Sequence, residues 1–410
     1  MREESAARGR STVLVLAIAA VFAGLGTAST TPAGSLLITE ITGTESLAGL
    51  TQTCGLVGAA IAAAVLARVT TARGRRTALA LGYSIAVLGT LLALVAAVIS
   101  SAFLLLVAAL LVGWAVAAAL QARFAAVDDA DDTNRSTRLS FVVWGSTVGA
   151  VTGPNLMEPA GRLAQHLSLP ALAGPYVVAA VTLFIAAAVI GVGLRKIPKP
   201  EASSTAPRQP LLTTLGHINR NPHARLGLWA IIIGHIAMVS IMVMTPVHMK
   251  HEHMGLTVIG FVISIHVAGM YAFSPLVGAA ARRWGSRVVI VGGVITLLAA
   301  AAVAGSAVPM DAMQLEIGLF LLGLGWSMTL IGGSTLLAGS VTAELQVSVQ
   351  GASDVLMSAG GALFGALAGV VIATLGYSWL CAFASPLILA VGFLAFQSKS
   401  AEHSTQGVSA

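Results

Sequence analysis

The chain has 410 residues, of which 57% are hydrophobic and 9% charged, with a formal net charge of +6. Soluble domains carry about 25% charged residues, so this composition excludes an ordinary soluble domain and points to helices in lipid. The mean hydropathy is +0.90; the two cysteines, Cys54 and Cys381, lie far apart and frame neither a disulfide scaffold nor a CxxC metal motif.

About 20 apolar residues cross a bilayer. On that scale the first half holds six candidate spans, near 12–37, 47–68, 76–98, 101–123, 139–159 and 172–195. The first is preceded by Arg2, Arg8 and Arg10 and carries "TASTTPAG", which imitates a signal-peptide cleavage site. It is long enough to span and many spans follow, so it reads as a retained helix. Six more spans lie near 225–247, 256–281, 287–307, 313–338, 350–375 and 377–397.

Basic residues fall almost entirely on one side of this arrangement. Arg68, Arg73, Arg75 and Arg76 follow span 2, Arg282, Arg283 and Arg287 follow span 8, and further arginines flank the 4–5 loop and the central segment. The positive-inside rule then places both termini in the cytoplasm of a cell whose inner membrane holds the chain. The organisation expected is a cytoplasmic N-terminus (1–11), a six-helix half (12–195), a linker (196–224), a second six-helix half (225–397) and a tail (398–410).

The halves echo one another. "ARGRR" around Gly74 returns as "RRWGSR" around Gly285, Gly113-Trp114 returns as Gly325-Trp326, Gly149 and Gly153 as Gly361 and Gly365, and Thr31-Pro32 as Thr245-Pro246. Four matches in order at nearly one offset imply a duplicated half. The fold class expected is therefore an all-α membrane protein with 12 transmembrane helices in two pseudo-symmetric six-helix halves.

On these residues the chain resembles the major facilitator superfamily over essentially its full length. That family's 2–3 loop signature, G-x-x-x-D-R-x-G-R-R, is matched here by Gly74, Arg75 and Arg76, with Ala67 and Thr71 in place of the first glycine and the acid. The second copy keeps Gly278, Arg283, Gly285 and Arg287 but has Arg282 at the acidic position. The resemblance implies a gating role for this motif. Span 5 carries Gly145, Gly149 and Gly153 on one face, followed by Pro154. This resembles the G-x-x-x-G-P signature of drug/proton antiporters, and it is equally the pattern of close helix packing.

Polar residues in or beside spans are functional candidates. Glu158 and Asp354 are candidate proton carriers, Asn155 and His235 candidate substrate contacts, and Arg123 with Asp128 a structural or gating pair. The segment His235–Met270 holds five of the nine histidines and six of the twelve methionines. Met238 and Met242 lie four apart on span 7, as do His266 and Met270 on span 8, so each pair shares a helix face. Thioethers with imidazole suit Cu(I); equally, methionine fills gaps between packed helices. The same two motifs resemble the helix 7 and 8 motifs of the superfamily's copper importers, which implies Met238, Met242, His266 and Met270 as a metal-cargo site.

No GxxxxGK[ST] and no HExxH occurs, so neither an ATP-driven pump nor an enzyme is expected. The reading is a secondary transporter without a cofactor, working by alternating access in the lipid bilayer as a monomer, with a small molecule or metal ion as cargo and protons as the coupling ion. Nucleic acid is not an expected partner. Cu(I) is the sharpest cargo, against a drug/proton antiporter or a carrier of another small organic molecule.

Overall fold

The computed structural model describes residues 2–125, 142, 144–194 and 211–406, and among these no strand occurs. In lipid every backbone N–H and C=O must be satisfied within its own segment, which leaves helices as the form of each apolar run. The first half gives α1 (Arg2–Thr42), α2 (Leu50–Arg73), α3 (Arg75–Val98) and α4 (Ala102–Ala125). It continues with α5 (144–152), a 3-10 turn at Gly153–Leu156, α6 (Met157–His166) and α7 (Gly174–Gly193). The second gives α8 (Leu211–Arg220), α9 (Pro222–His251), α10 (Leu256–Tyr271), α11 (Ser274–Trp284), α12 (Ser286–Gly305), α13 (Ala312–Gly339), α14 (Ala343–Leu375) and α15 (Tyr377–Gln406).

Eleven candidate spans of sufficient length and apolarity lie among the described residues. The twelfth, expected near 139–159, falls partly outside them, and what is described of it is α5, the 3-10 turn and α6. The architecture is that of a 12-helix membrane protein.

Helix ends follow from local chemistry. Gly74 and Gly285 have φ of 88° and 86°, a region that side chains with a Cβ rarely adopt. Each N–H closes the preceding helix, Gly74 on Thr70 O at 2.9 Å and Gly285 on Ala281 O at 3.1 Å, and the next helix starts one residue later. The expected span at 256–281 is not continuous: it breaks at residues 272–273, between α10 and α11. Pro275 stands in the first turn of α11, where its missing N–H costs nothing, and Ser274 Oγ donates to Tyr271 O at 2.6 Å across the break. Pro32 and Pro246, by contrast, lie inside α1 and α9. There Thr31 Oγ1 donates to Thr27 O and Thr245 Oγ1 to Ile241 O, taking up carbonyls beside the missing donor.

The chain divides into two compact units, Met1–Ser203 with Met249–Ser264, and Ser204–His248 with Ile265–Ala410. The first is held by backbone approach. A Cβ at Gly113 would overlap the Gly55 carbonyl oxygen, and one at Gly58 that of Leu110, so α2 and α4 touch along their main chains. Gly145, Gly149 and Gly153 lie on the Ala17, Val21 and Leu25 carbonyls of α1. In the second unit α13 is the central rod: Gly323 lies on the His266 carbonyl, Gly333 and Gly227 face each other, and Gly234 meets Thr329. Gly113 therefore has its packing counterpart in Gly323. Gly325, which matches it in the sequence, instead packs on Leu297 of α12. Small residues recurring every few positions allow a sequence match to slip in this way.

Candidate functional site

In the first unit the hydroxyl-rich run of α1 and the start of α2 face one cavity of about 100 Å³. Its polar lining is Thr27, Thr30, Thr31, Thr51, Gln52 and Tyr176, and no charged side chain lines it. The four threonine hydroxyls donate to carbonyls of their own chain segment: Thr27 to Ala23 O, Thr30 and Thr31 to Thr27 O, and Thr51 to Ala48 O, at 2.8, 2.9, 3.2 and 3.2 Å. A hydroxyl that has donated its hydrogen still has lone pairs, so the threonines present acceptors. The Gln52 amide adds two donors and one acceptor. Gly34 keeps the cavity open, because its Cβ would stand 3.1 Å from the Tyr176 hydroxyl and 3.3 Å from Thr51 Oγ1. By residue type "TASTTPAG" stands out only as a look-alike cleavage site; the signal of this set in the sequence is four hydroxyls within one apolar span.

The sulfur and imidazole candidates all belong to the second unit. Met238 and Met270 are buried, Met242 is half-buried, and His266 is fully buried. His266 Nδ1 lies 2.9 Å from Leu319 O, so in the neutral ring Nδ1 carries the hydrogen and Nε2 a lone pair. That Nε2 is buried without a hydrogen-bond partner. His235 accepts a hydrogen bond at its Nδ1 from Trp326 Nε1 at 3.2 Å, and Tyr271 packs edge-on to Trp326 with ring centroids 6.0 Å apart. Gly234 and His235 set one face of α9 on α13, while the His266 and Met270 backbone sits on α13 at Gly323. Among the described residues no group of three or more His, Cys, Asp or Glu side chains is placed to hold a metal.

The remaining candidates are dispersed. Asn155 Nδ2 donates to Ser264 Oγ at 2.7 Å and to Val151 O at 3.2 Å, both within the first unit. Glu158 is half-buried in the first turn of α6. Asp354 is exposed on α14 and accepts from Gln350 Nε2 at 3.1 Å. Gly149 of α5 and Gly153 of the following 3-10 turn pack on α1, and Gly260 of α10 closes on the Pro154 carbonyl. The Arg76 guanidinium donates to Gly191 O, while Arg287 Nε donates to Ala395 O at 2.8 Å. Arg75 begins α3, and Arg283 lies over the Trp284 ring beside Gly285. The Arg123 side chain and Asp128 lie outside the described residues.

Long apolar helices on close glycine seams, two internally packed units and an uncharged polar cavity inside one of them define a multi-pass membrane protein. The chain belongs to the major facilitator superfamily, whose family description, Major Facilitator Superfamily, matches residues 16–352 and 240–408. It is 34% identical over 374 residues to the uncharacterized MFS-type transporter YdeG of Bacillus subtilis, covering 90% of this chain and 87% of that one. The riboflavin transporter RfnT of Brucella anthropi is 26% identical, covering 75% of this chain and 76% of RfnT. Among solved structures, a mutant form of the nucleoside transporter NupG superposes with a TM-score of 0.77 at 14% identity, over 94% of this chain and 99% of NupG. None of these three is named for copper, and the matches show the superfamily without a branch or a cargo.

Proposed function

We propose that this transporter moves a small, uncharged, polar organic solute by alternating access between its six-helix halves, 12–195 and 225–397, in a cell membrane with both termini cytoplasmic. The observation that supports this reading is the uncharged cavity of Thr27, Thr30, Thr31, Thr51, Gln52 and Tyr176. Such a lining offers hydrogen bonds without a buried charge that a neutral solute would leave unpaired. A solute with ring N–H or hydroxyl donors completes the threonine acceptors, and riboflavin, the cargo named for RfnT, is of that kind.

The test is riboflavin uptake or efflux in cells lacking their own carrier. Gln52→Leu and Tyr176→Phe should each lower the transport rate about tenfold at equal membrane abundance, the loss expected when about 1.4 kcal/mol of differential binding disappears. Riboflavin flux equal to that of the empty vector removes this cargo. Flux unaffected by both substitutions removes this cavity. Proton coupling falls to Glu158 or Asp354 in this reading, so Glu158→Gln or Asp354→Asn should abolish stimulation by an imposed pH gradient while leaving exchange of labelled for unlabelled solute intact.

One observation favours a second cargo. The bare Nε2 lone pair of buried His266, with Nδ1 held by the Leu319 carbonyl, is the arrangement in which a histidine ligates a metal through one nitrogen and is oriented through the other. With Met238, Met242 and Met270 it would make a soft Cu(I) site. Radioactive copper uptake that fails in both His266→Ala and Met242→Ala supports this reading. Wild-type copper uptake no greater than that of the empty vector ends it.

A further inference from the structure

The break between α10 and α11 has a consequence on the flank of the second unit. Its counterpart at the same place in the first half, α2, runs without interruption from Leu50 to Arg73. In the second half α11 starts anew at Ser274, and between it and the α12–α13 pair a groove of about 430 Å³ opens. Phe273, Leu276 and Val277 form one wall, with Leu324 and Met328 on the other. The groove is open to the surroundings: Leu276 is 66% and Trp284 62% exposed.

The basic end of α11 borders this groove. Arg283 lines it, with its guanidinium carbon 5.9 Å from the Trp284 ring centroid, and Arg282 stands beside it, exposed. No carboxylate lines the groove, and among the described residues neither arginine is paired with an acid. An apolar trough ending in two guanidinium groups and a tryptophan, at the end of a membrane span, complements an amphiphile with a hydrocarbon tail and an anionic head. A water-soluble anion would leave the trough empty, and an uncharged hydrocarbon would leave the arginines unmatched. Guanidinium also matches phosphate oxygens in a planar fork.

We propose that this groove is a binding site for one net-anionic glycerophospholipid. An acyl chain lies along Leu276, Val277 and Met328, and the phosphate rests on Arg283 with Arg282 alongside. A zwitterionic lipid carries its own ammonium group next to the phosphate and satisfies the arginines less well.

The experiment titrates the full-length chain in detergent with phosphatidylglycerol and with phosphatidylcholine of identical acyl chains, counting bound lipids by native mass spectrometry. The wild type should hold one phosphatidylglycerol about tenfold more tightly than phosphatidylcholine. Arg283→Gln should cut that preference to twofold or less. Ala280→Phe, which fills the groove and leaves both arginines, should weaken phosphatidylglycerol binding at least fivefold; Leu276→Gln, at an exposed position, serves the same purpose if the phenylalanine variant misfolds. Arg73→Gln, at the basic end of α2, should change nothing. Equal retention of the two lipids overturns the proposal in favour of a nonspecific annulus. An effect of Arg73→Gln as large as that of Arg283→Gln overturns it in favour of diffuse charge. Lipid-free dimers abolished by Ala280→Phe or Leu276→Gln overturn it in favour of a second copy on this face.

Discussion

In the first unit α2 meets α4 where Gly113 lies over the Gly55 carbonyl; in the second, α10 meets α13 where Gly323 lies over the His266 carbonyl. The seam is the same, but only one side of it has to be glycine. The residue that supplies the carbonyl keeps a free side chain, and there the two repeats diverge. In α2 that position is Gly55 on the wall of the hydroxyl-lined cavity, with Ala59 one turn on. In α10 it is His266, with Met270 one turn on. Backbone approach thus fixes the fold in both repeats, and the residues opposite the glycines are available to define what each unit binds.

The sharpest way to break this comparison is to add one methyl group at each seam. Gly113→Ala and Gly323→Ala should each destabilise by about 1–3 kcal/mol, the usual cost of overpacking, because the added Cβ meets a backbone carbonyl that cannot rotate away. Gly278→Ala is the control. Its Cβ would find only the flexible Arg282 Nη1, 3.9 Å away, so its effect should stay within about 0.5 kcal/mol. Thermal melting of the detergent-solubilised protein reads all three. Seam variants no worse than the control would show that the glycines mark composition rather than contact.

A smaller effect sharpens the same comparison at the helix starts. Arg76 on α3 donates to Gly191 O on α7, and Arg287 on α12 donates to Ala395 O on α15, so each repeat ties the first turn of its third helix to its last helix. Hydrogen bonds from a charged donor contribute about 1.5–3 kcal/mol, at the lower end where water competes. Arg76→Met and Arg287→Met should therefore each cost about 1.5 kcal/mol in the same melting assay. A silent Arg76→Met beside a costly Arg287→Met would show that the motif has kept its structural role in one repeat only.

The bilayer made much of this legible in advance. It demands apolar runs of a set length and small residues where helices touch, so the spans and the recurrence of Gly74 in Gly285 could be read from residue type alone. The break at residues 272–273 could not, because hydropathy is blind to it and proline inside a span is tolerated, as Pro32 and Pro246 show. The site was less legible. Threonines in a span commonly bond to their own helix, and nothing in "TASTTPAG" tells that use from lining a cavity. The burial of His266 was foreseeable, but its orientation rests on Leu319, 53 residues away, and no local pattern encodes that contact.

The smallest expected effect separates exposed from buried polar contacts near the ends of α9 and its neighbours. In the first unit His251 Nδ1 lies 2.9 Å from Glu45 Oε1, with side chains 71% and 23% exposed. In the second, Thr245 Oγ1 and the Tyr377 hydroxyl lie 2.8 Å apart in a buried environment, with the Tyr377 ring stacked on His248 at 4.4 Å. Solvent and salt screen the first contact, whereas cutting the second removes a buried hydrogen bond that water does not replace, although Thr245 Oγ1 still donates to Ile241 O. Tyr377→Phe should cost about 1 kcal/mol in melting at any ionic strength. Glu45→Gln should cost less than about 0.5 kcal/mol, and that difference should vanish near 1 M salt, where the Debye length falls to about 3 Å. A Glu45→Gln loss that equals that of Tyr377→Phe and persists in high salt would mean that this pair is cut off from solvent in the protein's working state, and that α9 is fastened at its end by charge as well as by its buried face.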